Sequence, residues 1–143
     1  MVVNVSTFRI ALYGVLLQDE KVLMTETNVP SGSIINFPGG GLELGESPID
    51  AIQREFTEET GLSITVERLL FCSQKFQQNP EYPHEQLMHI YFLVAQSSQN
   101  PPTNGNNDDV LAVHWFAKDQ LPMTKILPVD REFLEHSSFL SLF

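Results

Sequence analysis

The sequence predicts an α+β fold, a single domain over residues 1–143 in which helices pack on a mixed β-sheet. Three observations predict it. The chain has 143 residues, within the roughly 100 to 200 of one domain. It is 42% hydrophobic and 10% aromatic, enough to bury one core. Strand-like apolar runs alternate with helix-like segments, and no internal repeat or linker separates two cores.

Taken in order, residues 8–17 and 21–25 read as two strands around a turn at 18–21. The apolar stretch at 10–17 is eight residues long, far short of the ~20 that a spanning helix needs. Only Arg9 precedes it and no small-residue cleavage site follows, so a buried hairpin explains it better than a signal peptide. Residues 28–32, with Pro30 and Gly32, read as a loop. A strand at 34–37 then leads into Pro38, Gly39, Gly40 and Gly41, a stretch suited to turn backbone. A helix follows. Ser47 suits its N-cap, Pro48 its first position, and Asp50 completes a capping box. Gly61 supplies the stop. Ile49, Ile52 and Phe56, at i, i+3 and i+7, predict its buried stripe.

Beyond the helix, 64–66, 69–72 and 86–95 read as strands, the last central in the sheet because its apolar run is the most continuous. Residues 97–109 are polar and rich in Pro, Asn and Gly, which predicts a mobile loop. A strand at 110–116 and a loop with Pro122 and Pro128 precede a last helix, capped by Asp130 and carrying Phe133, Leu134 and Leu140.

Eighteen acids against eight Lys and Arg give a net charge of −10. A nucleic-acid polymer is excluded as a partner, because phosphate neutralisation needs clustered cations. Attachment to an anionic membrane is disfavoured for the same reason. The balance fits a protein that gathers divalent cations, or a soluble one kept apart by like charge. Cys72 is the single cysteine, so no intrachain disulfide forms, and it reads as a buried small apolar residue. A cytoplasmic protein is the expectation. The four histidines show no ligand spacing.

The chemistry sits in residues 40–62. Glu55, Glu58 and Glu59 fall at i, i+3 and i+4, about a 100° arc of one helix face. Each opposes the ionisation of the others, and like charges at this spacing cost a helix a few tenths of a kcal/mol. Local stability therefore does not explain them. Binding Mg²⁺ does, because that ion takes oxygen ligands from a few carboxylates, substrate phosphate and water. The plainer reading is a solvated acidic face. Two details weigh against it: the same helix carries a buried stripe, and a glycine-rich turn directly precedes it. Gly39, Gly40 and Gly41 let backbone approach a pyrophosphate, with carbonyls available to a metal.

Gly40, Glu46, Arg54, Glu55, Phe56, Glu58, Glu59, Gly61 and Leu62 together resemble the Nudix hydrolase signature G-x5-E-x7-R-E-U-x-E-E-x-G-U, where U is bulky and apolar. All nine specified positions match, with Phe56 where Ile, Leu or Val is commoner. Glu43 and Gly45 extend the resemblance to the family's P-G-G-x-x-E-x-G-E run. It implies an α/β/α sandwich across the chain, and an enzyme that cleaves a nucleoside diphosphate linked to another group with Mg²⁺ or Mn²⁺.

Carried over by residue, Glu55, Glu58 and Glu59 hold the metal, and the Gly39 carbonyl adds a ligand. Arg54 braces the glutamates, while Glu46 and Gly40 support the loop. No other Lys or Arg is expected to cradle the substrate charge near this segment. The family often adds a later acid about six residues before a tryptophan, and Asp109 stands six before Trp115. Asp109 is thus a candidate for catalysis, its alternative role being a cap on the strand at 110–116. Glu85 is a second candidate. The residue that takes the proton from water is Glu55, Glu58 or Asp109.

Phe37, Phe76, Tyr82 and Trp115 are each able to stack on a base or to sit in the core; Phe37 and Trp115 are the substrate-binding candidates. ADP-ribose or a similar nucleotide sugar is the expected substrate, with a nucleotide-pool (d)NTP as the alternative. A homodimer is compatible with this reading. Two rival classes remain, a nucleotide-binding domain without catalysis and an acidic interaction module; the first should lack a metal carboxylate, and the second leaves the glycine turn unexplained.

Overall fold

β1 (Thr7–Gln18) is shared by both halves of the sheet in a computed structural model that describes residues 4–105 and 108–143. Along most of its length β1 pairs in parallel with β6 (Glu85–Gln96), from Thr7↔Glu85 to Leu16↔Val94. Its last two residues turn into a hairpin with β2 (Lys21–Val29), paired only at Leu17↔Val22 and Gln18↔Lys21. The connecting Asp19 and Glu20 have φ of 52° and 61°, the doubly left-handed form that matches strand twist in a two-residue turn.

β2 continues between β3 (Gly32–Asn36) and β7 (Val110–Ala117), antiparallel to both. β4 (Gly39–Gly41) lies on the free side of β1, and β5 (Ile64–Cys72) closes the other edge beside β6. The main path is therefore β3-β2-β1-β6-β5, with β6 internal as its apolar run predicts. Because β1 and β2 are bonded at one end only, the two halves diverge, and clefts open where they part.

Alternation along β1 supplies two cores. Leu12 and Leu16 face α1 (Pro48–Thr60), joining Ala51, Ile52, Phe56, Leu62 and Val94. Ala11, Tyr13 and Val15 face the opposite layer, α2 (Pro128–Leu134) and α3 (Ser137–Leu140), with Tyr91, Phe133 and Phe139. The result is the α/β/α sandwich. Among the described residues no helix is long and apolar enough to cross a membrane.

Several local expectations change. Asn28 and Val29 belong to β2 and Gly32 to β3, leaving Pro30 and Ser31 as the turn. Residues 64–66 and 69–72 form one strand, whose register shifts between Val66 and Arg68 and between Leu69 and Phe71. Those irregularities break the alternation that a single strand should show. Ile49 is 41% exposed, and Ala51 takes its place beside Ile52 and Phe56. Cys72 is half-buried. Asp130 does not cap the last helix; Leu127 holds that position and Asp130 is buried within α2. The C-terminal helical segment also breaks in two, leaving Leu140 44% exposed.

Candidate active site

α1 begins as its sequence requires. Ser47 Oγ accepts from the Asp50 N–H at 3.1 Å, and Pro48 occupies the first turn. Gly61 ends it at φ 74°, donating its N–H to Thr57 O. With Ile52 and Phe56 locked in the core, Glu55 and Glu59 are held on the side of the helix that meets β4, and Glu58, about half exposed, lies next to them beside Arg54.

β4 corrects the expectation of a turn: Gly39–Gly41 is a short strand antiparallel to β1. Glycine is still required there. Gly39 has φ 152°, and a Cβ on it would run into the Leu12 carbonyl oxygen. A Cβ on Gly40 would lie 2.7 Å from the Glu55 carboxyl carbon. Backbone and carboxylate can approach only because nothing stands between them.

Around this approach lies a cleft of about 400 Å³, lined by Gly39–Gly41, Glu55, Glu59 and Asp109 and by Arg9, Tyr13, Thr27 and Asn36. The structure thus brings Asp109, remote in sequence, to the same cleft as two helix carboxylates. Glu85 lies elsewhere, accepting from Asn79 Nδ2 at 2.9 Å in a neighbouring cleft.

Electrostatics separate the acids. Glu59 is 5% exposed and accepts from the Gly39 N–H at 3.0 Å. Burial pushes its pKa up to about 8, with Glu55, Glu58 and Asp109 adding to the rise and the Gly39 bond opposing it. Burial also raises Glu55, against the pull of Arg54. Arg54 grips Glu46 with two bonds, Nη2 to Oε1 at 2.7 Å and Nε to Oε2 at 3.0 Å. Its Nη1 reaches Glu55 at 3.1 Å and Glu58 at 3.4 Å. The Glu46 bonds, with Glu55 beside them, hold the guanidinium well above its usual range, and Arg54 holds Glu46 below the usual carboxylate range. Glu46 also accepts from the Glu43 N–H at 3.0 Å, tying the loop ahead of α1 to the cluster.

Arg54 therefore ties Glu46, Glu55 and Glu58 together. Among the described residues no three His, Cys, Asp or Glu side chains stand in ligating geometry as they are, since Glu55 and Glu58 turn toward Arg54. The donor set nevertheless fits a hard divalent cation: clustered carboxylates, one of them buried at a raised pKa, beside open glycine backbone.

Two substrate candidates are displaced. Phe37 is 0% exposed, packed at 5.7 Å from Tyr91 and 5.6 Å from Phe133 between ring centroids. It is core, because β3 points it into the α2–α3 layer. Trp115 pairs opposite Leu23 and lines a different cleft with Leu16, Leu93 and Pro102. Phe76 and Tyr82 are both about half exposed.

Sequence reasoning missed Arg9, which corrects the expectation that Arg54 is the sole cation near the segment. Arg9 Nη1 lies so close to Gly41 that a Cβ there would meet it at 2.7 Å. The available signal was a single cation inside an apolar strand. It also missed Tyr13, Thr27 and Asn36, whose sequence neighbourhoods carry no signal.

Comparisons with known proteins agree with this geometry. A match to the NUDIX domain family spans residues 7–137. The oxidized purine nucleoside triphosphate hydrolase of Mus musculus is 30% identical over 128 residues, covering 87% of this chain and 76% of that protein. The ADP-ribose pyrophosphatase of Methanocaldococcus jannaschii is 39% identical over 62 residues, covering 43% of this chain and 37% of that one. Among solved structures, a UDP-X diphosphatase has a TM-score of 0.71 at 25% identity, covering 96% of this chain and 66% of that one. A MutT NUDIX hydrolase from Burkholderia pseudomallei has a TM-score of 0.75 at 24% identity, covering 92% and 99%, and attests the fold. With its signature residues on one helix and loop, and a family match across nearly its whole length, the chain belongs to the Nudix hydrolases.

Proposed function

We propose that the protein is a divalent-cation-dependent pyrophosphohydrolase of small nucleotides. The observation that carries this reading is the convergence of Glu55, Glu59 and Asp109 on one cleft with glycine backbone and Arg9. Glu55, Glu58, Glu59 and the Gly39 carbonyl are the groups that would hold Mg²⁺ or Mn²⁺. When bound, such an ion neutralises diphosphate oxygens and acidifies a coordinated water. Arg9 attracts the phosphate chain from the β1 side, and Gly40 and Gly41 let that chain come close. Arg54 keeps Glu55 and Glu58 in position. The proton from the attacking water passes to Glu55, Glu58 or Asp109.

ADP-ribose or a related nucleotide sugar is the substrate expected from the sequence. A second reading, a purine nucleoside triphosphate, is favoured by the longer span of likeness to the mouse enzyme. Soluble nucleotides of either kind suit a cytoplasmic enzyme. The test is a panel of ADP-ribose, nucleotide sugars and (d)NTPs with Mg²⁺ or Mn²⁺, read as phosphate released after phosphatase coupling. At least one member should be cleaved, and EDTA should abolish the reaction. No release from the whole panel, or full activity in chelated protein, would overturn the proposal.

A further inference from the structure

Glu58 and Glu59 stand in the last turn of α1, which ends at Thr60. Helix ends fray, because their last carbonyls have no partner within the helix. A fraying end would carry two of the three glutamates with it. Local bonds close part of this turn: the Gly61 N–H donates to Thr57 O and the Thr60 hydroxyl to Phe56 O at 2.7 Å. A further layer comes from far along the chain.

The segment that follows β6 crosses the end of the helix. Thr103 donates its N–H to Thr60 O at 2.7 Å, satisfying a carbonyl that the helix leaves open. Its hydroxyl oxygen would lie 2.7 Å from a Cβ on Gly61, so it rests directly on the helix stop. The same hydroxyl accepts from the Gly105 N–H at 3.1 Å. Gly105, at φ 61°, is laid against the peptide that joins Glu58 to Glu59. A Cβ on it would run into the Glu58 carbonyl oxygen, lie 2.7 Å from the Glu58 carbonyl carbon and 3.0 Å from that of Glu59. What it would meet is main chain, which cannot swing aside as the tip of a side chain can. On the other side, Asn104 Nδ2 donates to Leu111 O at 3.2 Å, fixing the segment on β7. Asp109, four residues past Gly105, lines the carboxylate cleft with Glu55 and Glu59.

We propose that Gly105 and Thr103 are positioning residues: the strap they form on the end of α1 sets Glu58 and Glu59 where a divalent cation is bound. The proposal rests on the reading of these glutamates as metal ligands. Both residues act through the backbone of the two glutamates. Displacing that backbone by about half an ångström is enough to spoil a ligand set, above all for an ion as demanding of geometry as Mg²⁺.

The test titrates Mn²⁺ alone into the full chain, without nucleotide, and follows free Mn²⁺ by electron paramagnetic resonance. Thermal melts in EDTA report whether each variant is folded. Gly105→Ala should weaken binding about tenfold, the usual effect of losing support behind a metal ligand. Gly105→Asn should weaken it as much, because asparagine tolerates left-handed backbone but carries the same Cβ. Thr103→Val keeps the N–H bond to Thr60 and adds no clash, and should weaken binding about threefold. Gly32→Ala is the control for backbone strain alone. Gly32 has φ 134° with open space where a Cβ would stand, so this variant should melt lower and bind Mn²⁺ as the unaltered protein does.

Mn²⁺ affinity in Gly105→Ala within twofold of the unaltered protein would overturn the proposal. So would full affinity in Gly105→Asn, or an equal loss in Gly32→Ala, since either would leave strain as the sole cause. Should Gly105→Ala not fold, Thr103→Val decides in its place by the same twofold limit. No Mn²⁺ binding by the unaltered protein at millimolar concentration would remove the metal reading and the proposal with it. Binding that Glu59→Gln abolishes and Gly105→Ala leaves untouched would remove the proposal alone.

Discussion

Glu59 is a carboxylate held where its charge is costly. Burial, with Glu55, Glu58 and Asp109 nearby, raises its folded pKa from 4.5 to about 8. Protonation therefore favours the folded state: the contribution is complete below about pH 4.5 and is lost as the pH rises through about 8. The melting temperature of metal-free protein should fall between those values, and Glu59→Gln should flatten that fall while cutting turnover by orders of magnitude. Parallel melting curves for the two proteins would refute the electrostatic account, and turnover like that of the unaltered enzyme would refute the metal role. The three glutamates were legible in the sequence because helical periodicity is a local rule. Arg9 and Asp130 were not. Arg9 gains meaning only when β4 is laid beside β1, and Asp130 only when His89, 41 residues away, meets it.

At the scale of elements, α1 joins the core to the carboxylates. Its start and stop were legible to the residue, because Ser47, Pro48 and Gly61 act within one turn. β4 and the irregular β5 were less so: a glycine run reads as a turn until a partner strand is known, and a bulge erases alternation. Phe37 was misplaced because an aromatic residue has no sequence mark for core or cleft. Ser47→Ala removes the bond to the Asp50 N–H and should cost about 1 kcal/mol of stability, read from denaturant midpoints. Turnover should stay near that of the unaltered protein, because Ile52 and Phe56 still seat the helix. A tenfold fall in turnover with the fold intact would mean that the cap, rather than core packing, aims the glutamates.

At the scale of the molecule, the segment 97–109 ties the far side of the sheet to the carboxylate cleft; its positions 106 and 107 lie outside the described residues. Its described part is anchored at both ends. The Ser97 N–H donates to Ser63 O at 2.9 Å, just beyond α1, and the Thr103 N–H to Thr60 O at 2.7 Å, on its last residue, while Asp109 O accepts from the Asn28 N–H at 2.8 Å. That last bond is made by backbone and is kept whatever side chain stands at position 109. The two roles open to Asp109 are thereby separable. If its carboxylate serves the reaction, Asp109→Asn should lower kcat far more than it raises KM, the pattern of an interaction made mainly in the transition state. Asp109→Glu should keep much of the activity, and neither change should shift the melting temperature greatly. If the side chain only caps the strand, both variants should lose about 1 kcal/mol of stability and almost no rate. A kcat for Asp109→Asn within about threefold of the unaltered enzyme, less than ~0.7 kcal/mol of barrier, would remove it from the chemistry. Glu55 and Glu58 would then be left as the acceptors for the water's proton.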